Sequence, residues 1–172
     1  IAAGWGFATI DPASIQADNG AGITRGIIGL VNKGQPRKPE DWGALRAWAW
    51  GAGQGLDYLQ TDSAVDGKHI GIEGVSRYGK AALWAGASDP RFALVVSNDS
   101  GEGGAKLYRR NLGESIRVMN TYWFAPRFKS FASREQALPV DAHELIALIA
   151  PRPVYVATAT EDLWGDPKGE FL

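Results

Sequence analysis

The chain contains no cysteine, which excludes both a disulfide framework and a thiolate metal site. It also lacks a long apolar run, and no hydrophobic stretch approaches the roughly 20 residues of a membrane-spanning helix. The opening residues, IAAGWGFATIDP, have neither the basic start nor the long apolar centre of a signal peptide. The chain also has no excess of charge of one sign. Lysine and arginine number 18, aspartate and glutamate 19, and the net charge of -1 indicates neither a nucleic-acid partner nor a membrane surface.

What the chain does contain is typical of one globular domain. Its 172 residues are 45% hydrophobic and 22% charged, which is enough apolar material for a sizeable core. The chain starts without methionine and stops at KGEFL, where a helical pattern has just begun, so we expect an internal piece of a longer protein. Seven tryptophans are a high load for this length, and they fit either a core of large rings or a sugar-stacking surface.

The pattern of apolar residues predicts an α/β fold. Residues 5–11, WGFATID, are typical of a strand that meets a turn. A helix is expected to follow a cap at Asp41 and to extend through residue 59, although three glycines weaken it. Apolar runs at residues 70–72 and 93–98 flank a small-residue helix, and such a βαβ unit implies a parallel sheet.

The second half of the chain is expected to complete this sheet. Residues 106–137 are rich in aromatic and basic side chains and are predicted to form helices over the carboxyl edge of the strands. A helix in DAHELIALIA and a strand at residues 154–160 follow, and an acidic loop that contains a tryptophan comes after the strand. Ligands of open parallel sheets bind at the carboxyl edge, so the candidate functional residues are sought there.

Ser76 stands at the corner between a predicted strand and the helix that follows, in the stretch IGIEGVSRYGKAALWAG. The nucleophile of a strand-turn-helix elbow has this position, and small residues flank it because the turn is tight. Gly74 stands before Ser76, but the second glycine, Gly79, comes one place later than in the G-x-S-x-G pattern. The pattern alone therefore also fits a serine that caps a helix.

Two cations follow the serine on the first turn of the predicted helix. Arg77 and Lys80 lie where the helix macrodipole disfavours positive charge, so helix stability does not account for them. They suit an anionic substrate or an oxyanion, although a solvated helix start would also accommodate them. Catalysis by a serine further requires a base that takes its proton and an acid that orients the base.

Longer stretches of the sequence resemble one family. GVSRYGK is similar to the G-C-S-R-x-G-K signature of the glucuronoyl esterases, carbohydrate esterase family fifteen, with Val75 where cysteine is usual. The likeness continues through GASDPRFALVVSNDSGEGGAKLYRRNLGE, NTYWF, LPVDAHELIALIAPRPVYVA and EDLWGDPKGEF. It covers nearly the whole chain from about residue 42, and a match of this length and order is far more specific than the elbow alone.

The resemblance implies a three-layer α/β-hydrolase with a mostly parallel sheet, of which residues 1–172 would be one partial catalytic domain. It also implies an esterase without cofactor or metal, secreted or periplasmic in the parent protein. The substrate would be the ester between 4-O-methylglucuronic acid on glucuronoxylan and a lignin alcohol. Without the first strands and the last helix of the full domain, the sheet is expected to expose edges and apolar faces and to favour aggregation.

Carried over position by position, the resemblance assigns five residues. Ser76 is similar to the family's nucleophile, and Arg77 to the side chain that helps to stabilise the oxyanion. Lys80 resembles a ligand of the sugar hydroxyls, and Glu114 resembles the glutamate that contacts the uronate ring. Trp164 is similar to the tryptophan that faces the same sugar. From the residues alone, a carboxylate on a helix surface is an alternative for Glu114.

Two aspartates resemble the catalytic acid. Asp99 stands in the loop after the strand that follows the nucleophile helix. Asp162 stands just beyond the last predicted strand, which is the acid position of α/β-hydrolases at large. We prefer Asp162, and both residues could reach the base. For Asp99, a carboxylate that caps the glycine-rich loop is the alternative.

The base should be a histidine, and the chain contains only His69 and His143. His69 precedes the strand that leads to the serine, so it is expected at the opposite end of the sheet. His143 begins a helix, where the family has a histidine that is not the catalytic one, and a packed or capping role is expected. In α/β-hydrolases the base follows the acid along the chain, and no histidine follows Asp162. We therefore expect the catalytic histidine in a part of the parent protein outside this chain, which alone should be nearly inactive.

Two other functions stay open at this point. An acetyl xylan esterase or a serine peptidase on the same fold would use the elbow, but its neutral acyl group has no use for Lys80 and Glu114. A sugar-binding domain with an inactive elbow is the other, since fold alone does not establish function. A pure binding module would not need the nucleophile, the cations and the sugar ligands together, so the esterase is the preferred function.

Overall fold

The sheet has three parallel strands in the computed structural model, which describes residues 3–172. Strand β1 (Gly71–Val75) pairs with β2 (Leu94–Asn98), and β2 pairs with β3 (Val154–Ala157), so β2 is the central strand. The register brings the last residues of the three strands level with one another. Their carboxyl ends therefore meet at one edge of the sheet, where parallel α/β folds bind ligands.

Helices and turns account for the rest of the described secondary structure. The α-helices are α1 (Gly26–Val31), α2 (Ala44–Leu59), α3 (Arg77–Ser88), α4 (Ala142–Ala147) and α5 (Pro167–Phe171). The 3-10 turns are Pro12–Ser14, Gly20–Gly22, Pro126–Phe131 and Glu135–Ala137. Within residues 3–172, no helix combines the length and the apolar character needed to cross a bilayer.

One face of the sheet carries the core. Helix α3 packs across β1 and β2, and α2 packs against α3. Every second side chain of a strand points to the same face, so Val95 of β2 is fully buried against Leu83 of α3 and against Ile149. Gly86 of α3 lies so near Val95 that a β-carbon there would overlap it. The predicted βαβ unit is confirmed by β1, α3 and β2.

The opposite face of the sheet is open to solvent in the described residues. Val75 is 54% exposed and Tyr155 is 62% exposed, and Glu73 lies on the same side. Helices α2, α3 and α4 all contribute to clusters on the covered face. Of the predicted three layers, residues 3–172 therefore show the sheet and one helical layer, with exposed apolar surface on the uncovered face.

The predicted strand at residues 5–11 is wrong. These residues have neither strand nor helix geometry up to the turn that begins at Pro12. A strand is stable only when its main chain pairs with a neighbour, and within residues 3–172 no other strand pairs with this segment. The apolar alternation therefore produces no strand here.

The predicted helices over residues 106–137 are also wrong, because this segment forms turns and two 3-10 segments. Side-chain donors bind main-chain carbonyls that a helix would otherwise use. Arg109 donates to the Leu138 carbonyl at 2.7 Å, and Lys129 donates to the Met119 carbonyl at 3.1 Å. Tertiary hydrogen bonds therefore satisfy the main chain in place of a helical ladder.

Helix α2 forms as predicted, but its N-cap is Gly43 rather than Asp41. The Asp41 carboxylate accepts a hydrogen bond from the Lys38 N–H at 2.7 Å, so it closes the preceding turn instead. The helix begins at Ala44, where its first N–H donates to the Tyr122 carbonyl at 2.9 Å. A tertiary acceptor thus replaces the expected side-chain cap.

Close packing accounts for two of the three glycines in α2. A β-carbon at Gly51 would collide with the Ile15 side chain, and one at Gly55 would lie 2.9 Å from Ile10. The segment that precedes the helix therefore packs directly on the helix backbone. Nothing comparable crowds Gly53, whose nearest neighbour would be an Asp89 oxygen at 3.7 Å.

Candidate active site

Ser76 occupies the corner between β1 and α3 in a backbone conformation that L-residues with side chains rarely adopt. Its φ is 57° and its ψ is -126°, and a non-glycine residue held in such a region costs about 1–3 kcal/mol. Its N–H donates to the Asn98 carbonyl at the end of β2 (2.8 Å), which fixes the corner to the next strand. The Ser76 side chain makes no capping hydrogen bond and the residue is exposed, so the alternative of a helix-capping serine is wrong.

Gly74 and Gly79 permit this tight corner. A β-carbon at Gly74 would overlap the main chain of Tyr78, and one at Gly79 would lie 3.0 Å from the Gly74 carbonyl oxygen and 3.1 Å from that of Asn98. The first turn of α3 therefore lies directly against the ends of β1 and β2. The glycine that comes one place late in the pattern provides the same close approach as the usual one.

Arg77, the first residue of α3, has an acidic partner that the sequence did not indicate. Its Nε donates to Asp18 Oδ2 at 2.6 Å, and its guanidinium carbon lies 5.5 Å and 5.7 Å from the ring centroids of Tyr78 and Trp123. Burial lowers the pKa of Arg77, but the charge and hydrogen bond of Asp18 outweigh it, and the net shift is upward. The alternative of a merely solvated cation at this helix start does not describe Arg77.

Lys80, one turn further along α3, forms a buried ion pair. Its Nζ lies 2.7 Å from Glu114 Oε2 and donates to the Ser100 carbonyl at 2.5 Å. Only 2% of the Lys80 side chain and 9% of the Glu114 side chain are exposed, so Glu114 is not a carboxylate on a helix surface. Burial lowers the pKa of Lys80, and the negative charge of Glu114 opposes that shift.

Glu114 and Trp164, both predicted sugar ligands, lie on adjacent chain segments. The Glu114 N–H donates to the Trp164 carbonyl at 2.7 Å. Gly113, with a φ of 64°, lies so near that a β-carbon would overlap the same carbonyl. The Trp164 residue is 57% exposed. The exposed tryptophan and the buried ion pair therefore belong to chain segments in direct main-chain contact, and they offer a flat apolar ring and charged hydrogen-bonding groups.

The two candidate acids lie in neighbouring loops at the carboxyl edge. Asp99 follows β2 with a φ of 42°, and its Oδ1 accepts the Ala159 N–H (2.8 Å) from the loop after β3. Asp162 lies in that second loop, where its Oδ1 accepts the N–H groups of Trp164 (3.1 Å) and Gly165 (3.3 Å). Asp99 therefore joins the two loops instead of capping the glycine-rich one, and Asp162 orders the turn that carries Trp164.

Neither histidine is bound to the serine or to a candidate acid. His69 lies before β1, where its Nδ1 is 2.7 Å from Asp66 Oδ2 and both side chains are exposed. His143 is exposed in the first turn of α4, whose cap is Asp141, so the expected packed or capping role is wrong. Within residues 3–172, no hydrogen bond or ion pair joins either histidine to Ser76.

A second group of buried charges adjoins Glu114. Lys106 Nζ lies 2.7 Å from Glu102 Oε2, with side-chain exposures of 0% and 1%, and it also donates to the Glu114 carbonyl. Glu170 of α5 accepts the Gly101 N–H at 2.5 Å. Burial raises the pKa of Glu102 to about 7, and the Lys106 charge opposes the shift. In the part of the chain that the structure describes, no cluster of three or more potential ligands is arranged for a metal ion.

The model of the family described as "Glucuronyl esterase, fungi" matches residues 37–171, which is most of the chain. The chain belongs to the glucuronyl esterase family. The likeness to solved structures of this family also confirms the predicted α/β-hydrolase fold. The matched range includes all seven predicted site residues but not Asp18.

Three relatives show how close the match is and how much of each protein it covers. A carbohydrate esterase, MZ0003, from an unknown prokaryotic organism is 48% identical over 177 residues, which take in 100% of this chain and 41% of that protein. A glucuronoyl esterase structure from Teredinibacter turnerae is 52% identical with a TM-score of 0.89, and the match covers 94% of this chain and 40% of that one. A 4-O-methyl-glucuronoyl methylesterase from Podospora anserina is 38% identical over 135 residues, 71% of this chain and 28% of that protein. The chain thus spans about two fifths of the length of the first two relatives.

The candidate site residues on the βαβ unit were identified from the sequence, but the charged residues that bind them were missed. Asp18 lies 59 positions before Arg77, so no local signal links the two. The spacing of four residues between Glu102 and Lys106 is a weak signal that they pair. Glu170 comes 69 positions after Gly101, and nothing in the sequence joins them.

Proposed function

We propose that the protein is a serine esterase that hydrolyses esters of 4-O-methyl-glucuronic acid on glucuronoxylan, with Ser76 as the nucleophile. The observation that carries this proposal is the Ser76 backbone, held at φ 57° and ψ -126° with the residue exposed at the carboxyl edge. Glycine would adopt this conformation at no steric cost, so a serine there serves a purpose other than stability. The names of the relatives, a carbohydrate esterase and a 4-O-methyl-glucuronoyl methylesterase, support the reaction and the substrate class.

The proposed reaction has two halves. Ser76 Oγ attacks the carbonyl carbon of the uronate ester while a base takes its proton, and the carbonyl oxygen becomes an oxyanion. Arg77 and main-chain N–H groups stabilise that negative charge. The C–O bond to the alcohol breaks, the alcohol leaves with the proton, and a glucuronoyl ester remains on Ser76. Water then attacks this ester with help from the same base and releases glucuronate.

Recognition of the uronate is assigned to Lys80, Glu114 and Trp164. The bonds to Glu114 and to the Ser100 carbonyl use two of the three N–H donors of Lys80, which leaves one for a sugar hydroxyl. Glu114 has further acceptor capacity for hydroxyl groups, and the exposed Trp164 ring suits a flat sugar face. A neutral acetyl group would gain nothing from this cation and carboxylate, which favours the uronate over an acetyl ester.

The proposed acid is Asp162, with Asp99 as the alternative. Both lie in loops that follow strands at the edge where Ser76 is exposed, and each has one oxygen engaged by main-chain N–H groups. An acid of this kind orients the base and stabilises its charged form. Neither His69 nor His143 is joined to these groups, so we propose that a histidine of the parent protein outside these 172 residues is the base.

The proposed place of action is outside the cell or in the periplasm. Glucuronoxylan is a polymer of the plant cell wall, so an esterase that acts on it must leave the cytoplasm of the organism that makes it. Separation of the culture medium, periplasm and cytoplasm of the natural host, followed by an esterase assay of each fraction, tests this. Activity confined to the cytoplasm would contradict it.

The experiment that tests the function uses the full-length natural protein and the methyl ester of 4-O-methylglucuronic acid, and it measures the acid released. Ser76→Ala should lower kcat by about 10⁴-fold or more. Ser88→Ala is the matched control, because Ser88 lies at the far end of the same helix with its hydroxyl on the Trp84 carbonyl (2.6 Å). That control should keep activity within about 2-fold.

The other outcomes separate the alternatives. A folded full-length protein that releases no acid from the uronate ester, but does release acetate from acetylated xylan, would make it an acetyl esterase. A folded protein that hydrolyses neither ester, yet binds glucuronoxylan, would make it a sugar-binding domain. Equal activity of Ser76→Ala and wild type would exclude Ser76 as the nucleophile.

A further inference from the structure

We infer that Asp18 is a positioning residue of this esterase, which fixes the guanidinium of Arg77 in the orientation that the oxyanion needs. The inference rests on the proposed function, in which Arg77 stabilises the oxyanion. Asp18 lies in the segment before α1, outside the residues that the family model matches. It acts on the reaction only through Arg77 and is not itself a catalytic residue.

The two oxygens of the Asp18 carboxylate have separate partners. Oδ2 accepts the Nε–H of Arg77 at 2.6 Å, and Oδ1 accepts the Trp123 Nε1–H at 2.8 Å and the Tyr122 hydroxyl at 3.0 Å. The Tyr122 hydroxyl also lies 3.1 Å from the Asp18 main-chain carbonyl. Because both oxygens are bound from different sides, the carboxylate has one allowed orientation.

Asp18 binds the Nε–H of Arg77 and leaves the terminal amino groups of the guanidinium for another acceptor. Asp18 binds only the Nε–H, so the two terminal amino groups of the guanidinium are not engaged by this carboxylate. The guanidinium also lies over the rings of Tyr78 and Trp123. A planar cation that is stacked on rings and held at one edge presents its remaining donors in a fixed direction.

The segment that carries Asp18 is itself anchored in the core. Gln16, two residues earlier, is fully buried, and its side chain accepts the Ile28 N–H (3.1 Å) and donates to the Gly22 carbonyl (3.0 Å). The Trp48 indole N–H donates to the Gln16 carbonyl at 2.8 Å. Asp18 is therefore held by the core rather than by Arg77 alone. Preorganised donors of this kind cost no reorganisation when charge develops in the transition state.

The test measures kcat and KM of the full-length protein on the methyl ester of 4-O-methylglucuronic acid for wild type and Asp18→Asn. An asparagine whose oxygen stays on Trp123 and Tyr122 turns its NH₂ toward the Arg77 Nε–H and loses the contact. We expect kcat to fall by about 10- to 100-fold and KM to change by less than about 3-fold, because the lost positioning matters in the transition state. Asp18→Glu should recover part of kcat.

Tyr122→Phe is the matched control. It removes the hydroxyl that contacts both Oδ1 and the main-chain carbonyl of Asp18, but Trp123 still binds Oδ1 and the Arg77 contact is intact, so kcat should stay within about 2-fold of wild type. A fall in kcat equal to that of Asp18→Asn would overturn the inference, because a general loosening of the segment would then explain both. The same conclusion follows if Asp18→Asn retains the kcat of wild type.

A double-mutant comparison separates positioning from structure. In an Arg77→Ala background, Asp18→Asn should lower kcat by less than about 2-fold further, because the residue that Asp18 positions is already gone. A full additional loss would overturn the inference. If Arg77→Ala itself retains the activity of wild type, Arg77 does not stabilise the oxyanion and the inference about Asp18 is overturned. If wild type is inactive, the proposed function fails first and this inference falls with it.

A measurement without catalysis covers the case in which Asp18→Asn does not fold. The NMR signal of the Arg77 Nε–H in wild type, assigned by its loss in Arg77→Lys, should be resolved and protected from exchange with water at neutral pH. It should persist in Tyr122→Phe. Exchange as fast as that of exposed arginines would show that Asp18 does not hold the side chain, and it would overturn the inference.

Discussion

The ammonium group of Lys80 lies 2.7 Å from the carboxylate of Glu114, with 2% and 9% of the two side chains exposed. Removal of both charges from water costs free energy that offsets their mutual attraction, so two apolar side chains of similar size would stabilise the fold as well or better. Glu114 of this pair nevertheless donates its main-chain N–H to the carbonyl of the exposed Trp164, the other proposed sugar ligand. The position of the pair favours a role in substrate binding over a role in stability.

The first prediction concerns the stability of this pair. Lys80→Met or Glu114→Leu alone leaves an unpaired buried charge, so each should lower the free energy of unfolding of the full-length protein by about 3–5 kcal/mol. The double variant should lose much less than the sum of the two. Denaturant unfolding measures all three. All three should also bind the uronate ester more weakly, since each lacks a proposed ligand.

The exposed pair of Arg91 and Asp57 is the control for this comparison. Its side chains are 43% and 50% exposed, so Asp57→Leu should have a far smaller effect on unfolding than Glu114→Leu, because Arg91 keeps its second ion pair with Asp89 and stays in contact with solvent. Additive losses in the Lys80 and Glu114 double variant would contradict the prediction, because they would mean that the two charges do not interact.

The second prediction concerns the backbone strain at Ser76. Glycine adopts the φ of 57° without steric cost, whereas alanine keeps the strain. Glycine relieves backbone strain of about 1–3 kcal/mol. This gain outweighs the free energy of about 0.5–1 kcal/mol by which the greater conformational entropy of glycine stabilises the unfolded chain. The free energy of unfolding of Ser76→Gly should therefore be about 1 kcal/mol higher than that of Ser76→Ala, although both lack the proposed nucleophile. A lower value for Ser76→Gly in denaturant unfolding would contradict the strain at this corner.

The elbow was predictable because its determinants are local. The strand, the serine and the small-residue helix lie within residues 70–86, and their geometry follows from apolar pattern and glycine placement. Even the displaced Gly79 belongs to this local set, since it approaches the Gly74 carbonyl. The proposed sugar ligands further along the chain were assigned from the family resemblance, because no pattern rule links Lys80 with a glutamate 34 positions later.

The supporting charges and the loops were not predictable for a related reason. Asp18 binds Arg77 across 59 positions, and no pattern in its own segment points to that partner. Residues 106–137 were expected to be helical from their aromatic and basic content, yet contacts such as Arg109 to the Leu138 carbonyl replace helical hydrogen bonds. Tertiary hydrogen bonds of this kind override local propensity, and the sequence pattern does not reveal them.

The third prediction distinguishes the two candidate acids. Asp162→Asn should lower kcat on the uronate ester by about 10²-fold or more, because an amide cannot stabilise a charged base. Asp99→Asn can still accept the Ala159 N–H through its oxygen, so its effect on kcat should be at least about 10-fold smaller. The same assay of acid release measures both variants. The reverse order of the two losses would assign the acid to Asp99.

The fourth prediction concerns the pH dependence of stability that Glu102 introduces. The pKa of this carboxyl is about 7 in the folded protein: burial raises it most, Lys106 opposes that rise, and nearby Glu135 and Glu114 add smaller upward contributions. The unfolded chain holds the same proton only below about pH 4.5, so folding takes up a proton between these limits.

The sign of the effect follows from that uptake. The contribution of Glu102 to stability is largest below about pH 4.5 and is lost as the pH rises toward about 7, a total of up to about 3 kcal/mol. Glu102→Gln has no titrating group at this position, so it should not lose this stability. The free energy of unfolding of Glu102→Gln minus that of wild type should therefore increase as the pH rises through this interval. Denaturant unfolding of both proteins at several pH values measures the difference. A difference that stays constant, or that shrinks with rising pH, would show that Lys106 keeps Glu102 ionised in the folded state despite its burial.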